Sequence, residues 1–241
     1  MSGILREAVE YIVSLGKANV IEVNEKVYSD KPLTPCYRPT QAKLNTGTLT
    51  SIVDYIKHNT DGCRNRGDVV IHVESPIEVR VFSNVNEEMR RSVYITATVI
   101  LPRFEFGYFY DTENFNILMQ SVFERNEDAD ILLRVVGNLK DEAVKTLGDD
   151  GVSQAVTIKS GIATVADVKV PNPVSLKPYR TFLEVKQPES KFIFRMREGG
   201  KCALFEADGG AWKREAINSV TKYLENQLSD EIKEGIVIIL A

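Results

Sequence analysis

The chain has 241 residues, 43% hydrophobic and 27% charged, with 15 Gly and 9 Pro, a composition that excludes disordered, collagen-like and low-complexity classes. Its 30 Lys plus Arg stand against 34 Asp plus Glu, a net charge of −4, so nothing global draws it to nucleic acid or anionic membrane and any anion site has to be local. The length suits one large domain or two small ones.

Ile4, Leu5, Ala8, Val9, Ile12 and Val13 recur at helical spacing before Gly16, which predicts a short amphipathic helix with a glycine cap. Arg6, Glu7 and Glu10 interrupt its apolar positions, so no secretory signal is expected. The longest apolar run elsewhere, Ile236 to Ala241, is far below the roughly 20 residues of a membrane span. Val20 to Val23 and Lys26 to Ser29 flank Asn24-Glu25 as a small hairpin. Pro32, Pro35 and Pro39 mark an extended connection, after which Thr46 or Thr48 caps a helix with Leu49, Ile52, Val53 and Ile56 on one face, ending at Asn59-Thr60-Asp61-Gly62.

Val69 to Val73, Ile77 to Val81 and Val93 to Leu101 read as an antiparallel meander. Asp111 caps a helix presenting Phe115, Leu118, Met119, Val122 and Phe123, and a second helix runs from Glu127 to Val136. Gly148 to Gly151 reads as a turn, followed by strands over Ala155 to Ile158 and Thr164 to Val170, with Pro171, Pro173 and Pro178 ending that pattern. Lys191 to Arg197 and Lys201 to Ala207 form a hairpin through Gly199-Gly200. A helix with Trp212, Ala216, Val220, Tyr223 and Leu224 on one stripe follows, and Ile236 to Leu240 closes the chain as a strand. Strands and helices without βαβ alternation predict an α+β fold, largely antiparallel sheets with four or five packed helices. The charged turn divides it into residues 1–147, an N-terminal α+β portion, and residues 148–241, a β-rich portion with a long helix; a single continuous domain fits nearly as well.

Cys36, Cys63 and Cys202 are odd in number and unpaired in spacing, which argues against disulfides and thiolate zinc and for a reducing cytoplasm. His58 and His72 have no second ligand nearby, and no nucleophile elbow, P-loop or dinucleotide-binding glycine motif is present. No cofactor and no metal are expected. One catalytic alternative stands. Glu184 and Lys186, two apart on a strand, share a face, and Asp167 upstream adds an oxygen ligand, in the loose Asp…Glu-x-Lys pattern of metal-dependent nucleases. The competing reading is a solvated charged turn between Pro178 and Pro188. Glu206 and Asp208 likewise read as the solvated end of a hairpin strand.

Charge is uneven. Residues 171–222 carry ten basic and six acidic side chains. On one hairpin strand Phe192, Phe194 and Met196 alternate with Lys191, Arg195 and Arg197, so the basic groups project from one face beside Lys201. That face is either plain solvated surface or an anion site, with Arg195 and Arg197 as main contacts and Lys191 and Lys201 assisting.

Three segments, residues 30–56 (DKPLTPCYRPTQAKLNTGTLTSIVDYI), 148–182 (GDDGVSQAVTIKSG through VPNPVSLKPYRTF) and 187–213 (QPESKFIFRMREGGKCALFEADGGAWK), resemble a group of uncharacterised proteins from phages and prophages of Gram-positive bacteria. The resemblance runs along nearly the whole chain and supplies no catalytic residue. It implies a setting inside the bacterial host cell and an accessory role in phage DNA metabolism or in countering host defence. The resulting expectation is a non-catalytic cytoplasmic protein that self-associates through Ile236 to Ala241 and exposed hairpin edges and binds a nucleotide or nucleic acid, with no membrane contact and an unidentified host protein as a further partner.

Overall fold

The computed structural model describes residues 6–23, 26–31, 41–66, 68–86, 89–137, 144–149, 154–160, 163–197 and 199–241; of residue 66 and of residues 144–149, 154–160 and 163–169 it describes the backbone alone. The chain divides into two compact units, Met1–Thr40 and Gln41–Ala241.

In the first unit, helix α1 (Arg6–Gly16) precedes strands β1 (Val20–Val23) and β2 (Lys26–Ser29). They pair antiparallel, Val20 opposite Ser29 and Val23 opposite Lys26, the expected hairpin. The proline connection of residues 32–39, with Cys36, lies outside the described residues.

The second unit is α+β with antiparallel and mixed sheets, as expected. Strands β4 (Val69–Ser75), β5 (Glu78–Ser83) and β6 (Val93–Thr98) form the meander. Two further strands add in parallel at its edges, β3 (Leu44–Thr46) against β6 and β14 (Val237–Leu240) against β4. Helices α2 (Leu49–Lys57) and α5 (Trp212–Gln227) bury Leu49, Ile52, Ile56, Val220 and Leu224 with the sheet's Val69, Ile71, Val79 and Val81. The Thr48 hydroxyl caps α2 by accepting the Ser51 amide. Left-handed backbone at Asp61 and Gly62, φ 56° and 64°, turns the chain after α2, where the Asn-Thr-Asp-Gly signal put a turn.

A second core lies under a four-stranded antiparallel sheet, order β13-β12-β11-β7, made of β7 (Phe123–Glu124), β11 (Val174–Pro178), β12 (Ser190–Arg197) and β13 (Lys201–Glu206). Helices α3 (Thr112–Val122) and α4 (Glu127–Gly137) supply Phe115, Met119, Leu132 and Val136 against Phe192, Phe194 and Leu204. Asp111 caps α3 by accepting the Asn114 amide at 2.8 Å, and these hydrogen bonds, backbone first, hold its carboxyl below the usual range. A three-stranded antiparallel sheet contains β8 (Val144–Asp149), β9 (Gln154–Ser160) and β10 (Ala163–Lys169). Strand β8 runs across the 147/148 position read from sequence as a division, and continues to Asp149 where a turn was expected. Helix α6 (Ser229–Lys233) leads into β14. Among the described residues no helix is long and apolar enough to cross a membrane.

Candidate anion-binding face and its buried arginine anchor

Alternation on β12 has the expected consequence. Phe192, Phe194 and Met196 are buried, while Lys191 and Arg197 are exposed and Arg195 half-exposed. Strand β13 places Lys201 directly opposite Arg197 and Ala203 opposite Arg195. Arg195 and Arg197 therefore project from one face roughly 7 Å apart, and Arg197 meets a like charge across the ladder, which is destabilising until something neutral or negative intervenes. Among the described residues no carboxylate lies within 4 Å of Lys191, Arg195, Arg197 or Lys201. The Arg197 guanidinium lies 3.8 Å from the centre of the Phe109 ring, a stacking that leaves its N–H edges free to donate. Arg195 Nη1 donates to the Phe194 carbonyl at 3.2 Å.

Local chemistry holds this hairpin in place. Gly200, φ 66°, sits where an added Cβ would come 2.9 Å from the Thr112 hydroxyl, and that hydroxyl donates to the Gly200 carbonyl at 3.0 Å. The turn is thus tied to the start of α3 and tolerates only glycine at this position. The outer edge of β13 is not open: the Gly107 amide donates to Leu204, and Tyr110 and Cys202 exchange backbone hydrogen bonds at 2.9 and 2.8 Å.

Behind the face stands a residue that sequence reading counted only as one more positive charge. Arg180 is buried, with Nη2 2.6 Å from Glu206 Oε1 and Nη1 3.3 Å from the Ser190 hydroxyl. Three rings close on its guanidinium, Trp212 at 4.6 Å, Phe106 at 4.7 Å and Phe192 at 5.1 Å from the centroids. Burial draws its pKa down, and the charges of Glu206 and Asp208 oppose that. Asp208 is itself pushed up by burial, but the nearby Ser190 hydroxyl, the Gly210 amide, the Arg180 charge and the Trp212 amide outweigh this and hold it below the usual carboxylate range. Glu206 is thus an ion-pair partner, and Asp208 is half-buried at the start of α5. Beside Arg180 opens a largely apolar cleft of about 380 Å³ walled by Ile77, Phe104, Phe106 and Trp212, with the exposed Arg103 among its lining residues.

The catalytic alternative is placed differently from its premise. Glu184 and Lys186 lie in a turn between β11 and β12, not on a strand. Glu184 Oε1 accepts the Leu49 amide at 2.8 Å and the Thr50 amide at 3.2 Å, so it caps the N-terminus of α2 from across the fold. Buried Gln187 stitches the same turn, accepting the Arg180 amide at 2.8 Å and donating to the Phe182 carbonyl at 3.1 Å. Lys186 is exposed, and Asp167 lies on β10, whose side chains are outside the description. Among the described residues no group of three or more His, Cys, Asp or Glu could hold a metal ion. No family model, curated protein or solved structure matches the chain.

Proposed function

We propose that the protein is a non-catalytic binder of polyanions, nucleotide or nucleic acid, through the outer face of β12 and β13. One observation carries the reading: Arg197 and Lys201 face each other across the ladder, with Arg195 and Lys191 on the same strand, and no carboxylate among the described residues neutralises them. Sheet surfaces that only meet solvent usually intersperse the two signs, because like charges directly opposite cost stability. A bound phosphate relieves that cost, and two forked guanidinium groups give it paired hydrogen bonds. In the phage setting that the sequence resembles, this is an accessory of DNA metabolism or counter-defence in the bacterial cytoplasm.

The test is fluorescence anisotropy with a labelled single-stranded oligonucleotide at low salt. Replacing Arg195 and Arg197 together by Ala should weaken binding at least ~100-fold, about 1.5 kcal/mol per charged contact, and the parent's affinity should fall steeply with salt. A parent that binds neither oligonucleotide nor nucleotide at low salt refutes the proposal, as does a double variant that binds like the parent.

A second observation favours self-association. Strand β14 is the edge of its sheet and exposes Ile238 (45%) and Leu240 (51%), an unblunted apolar edge of the kind that pairs with another chain. The hairpin edge expected to share this role is covered by residues 107–110.

A further inference from the structure

The outer face of β12 and β13 is aromatic as well as basic. Antiparallel register turns three cross-strand pairs outward together, Arg197 with Lys201, Arg195 with Ala203 and Ile193 with Phe205. Glu206, the acid of β13, alternates to the opposite face and meets Arg180 there. Phe205 is 36% exposed on this surface. Gly107 lies against one side of it, since a Cβ added to that glycine would stand 3.6 Å from the ring. Tyr110 pairs antiparallel with Cys202, so Phe109, one residue back, falls beside Ala203 as a third lane of the same face. Ring contacts agree with that placement. Phe109 meets Phe205 at a centroid distance of 6.0 Å with the planes 65° apart, and the Arg197 guanidinium lies 3.8 Å from the centre of the Phe109 ring.

These groups suit one class of polyanion. An exposed ring inside a cationic surface offers stacking to a base, because every base has a π-face, and a guanidinium plane takes bases in the same way. Phe205 supplies the ring, and the exposed Arg197, backed by Phe109, supplies the plane. In a duplex those base faces are already covered by their neighbours. A sheet that reads a duplex has to enter a groove about 12 Å wide. This ribbon is tied down on three sides: β11 flanks β12, residues 107–110 cover the edge of β13, and the Thr112 hydroxyl holds the Gly200 carbonyl at the turn. Lys191 and Arg197 stand six positions apart on β12, about 20 Å, so a ligand that engages both has to run over several nucleotides.

We infer that this face binds single-stranded nucleic acid, with bases stacked on Phe205 and on the Arg197 plane, and with phosphates held by the N–H edges of Arg195 and Arg197 and by Lys191 and Lys201. It rests on the polyanion reading and names the ligand. Stacking on such a ring raises affinity by about 5- to 150-fold per base. Ring faces do not sense a 2′-hydroxyl, so DNA and RNA strands share this chemistry.

The test is fluorescence anisotropy of the full chain at low salt with labelled strands of about 12 nucleotides, within the range such faces cover. The probes are oligothymidylate, oligouridylate, an abasic strand with the same number of phosphates, and a duplex of that length. The parent should bind oligothymidylate or oligouridylate at least ~10-fold more tightly than the abasic strand or the duplex, and the tighter of the first two identifies DNA or RNA as the source. Phe205→Leu should lose most of the preference for bases over the abasic strand, and Phe205→Tyr, which keeps a ring, should retain it. The urea midpoint of the Trp212 emission checks that both variants are folded, and the comparison of probes on the parent decides without them. An abasic strand bound as tightly as oligothymidylate and oligouridylate overturns the inference and leaves the polyanion reading standing, as does a duplex bound more tightly than either. A folded Phe205→Leu protein with the full preference overturns it too. A parent that binds none of the probes removes the polyanion reading and this inference together.

Discussion

Arg180→Ala tests the junction on which the basic hairpin rests. The change removes a guanidinium seen by three rings at 4.6 to 5.1 Å and an ion pair of 2.6 Å. Each partly desolvated cation–ring contact contributes about 0.5 to 1 kcal/mol. Removing one partner of a fully buried pair costs about 3 to 5 kcal/mol, but the Glu206 side chain is 43% exposed, so its stranded charge recovers water and the pair adds only about 1 kcal/mol. The expected loss is about 3 kcal/mol. With a urea slope of about 3 kcal/mol/M the midpoint falls by about 1 M. Trp212 is the only tryptophan and one of the three rings, so its emission reports this junction directly. Arg180→Lys keeps the charge but loses the flat fork, and should lose about half as much. A midpoint within ~0.3 M of the parent in Arg180→Ala would show that the rings pack without the cation and that the anchor is incidental.

Glu184→Ala should destabilise by about 1 kcal/mol through the lost cap on α2, with Thr48 still in place; no change in urea midpoint would show that the carboxylate is not capping. Burial pushes the Cys202 thiol up to about 12 and raises that of Cys63, so in a Cys36→Ser background neither should react with a disulfide reagent until urea unfolds the chain. Asp208 is depressed below its ordinary 3.8 in the folded protein, so the stability it contributes is fully present above about pH 4 and lost as pH falls through the lower folded value. Asp208→Asn should flatten the acid limb of stability against pH, and an unchanged limb would refute the assignment.

The meander, the β12–β13 hairpin and helices α2 and α3 were legible because each declares itself locally: alternation in Val69 to Val73, a Gly-Gly turn, caps at Thr48 and Asp111. The elements missed are those that neighbours define. Leu44–Thr46 and Phe123–Glu124 are two or three residues long and are strands only because β6 and β11 supply partners. Strand β11 hides between Pro173 and Pro178, and Pro178 is tolerated because it is the last residue of the strand. The same limit applies to sites. Lys191, Arg195 and Arg197 share a face by a period of two, which one strand shows, whereas the bond of Glu184 to Leu49 crosses 135 positions of sequence and has no local signature. One signal for Arg180 was available, the clustering of Phe192, Glu206, Asp208 and Trp212 downstream of an isolated arginine, but alternation alone assigned those acids to solvent.

Arg180, just past the end of β11, and Arg197, on β12, have different surroundings, and different work follows from that. Arg180 is taken out of water, so its charge has to be answered within the fold, by Glu206, by Asp208 and by ring faces, and its contribution is to stability. Arg197 keeps its contact with water, lies over the Phe109 ring and faces Lys201 across the ladder; under the proposed function its charge is answered by a bound anion. Salt therefore separates them. Raising ionic strength screens exposed charges within a Debye length of about 10 Å at 0.1 M and acts less on the partly buried Arg180–Glu206 pair. The unfolding midpoint of the free protein should stay level or rise slightly with salt as the Arg197–Lys201 repulsion is screened, while anion binding falls, and a protein that instead lost stability and binding in parallel would have its anion contacts built from the fold's own ion pairs.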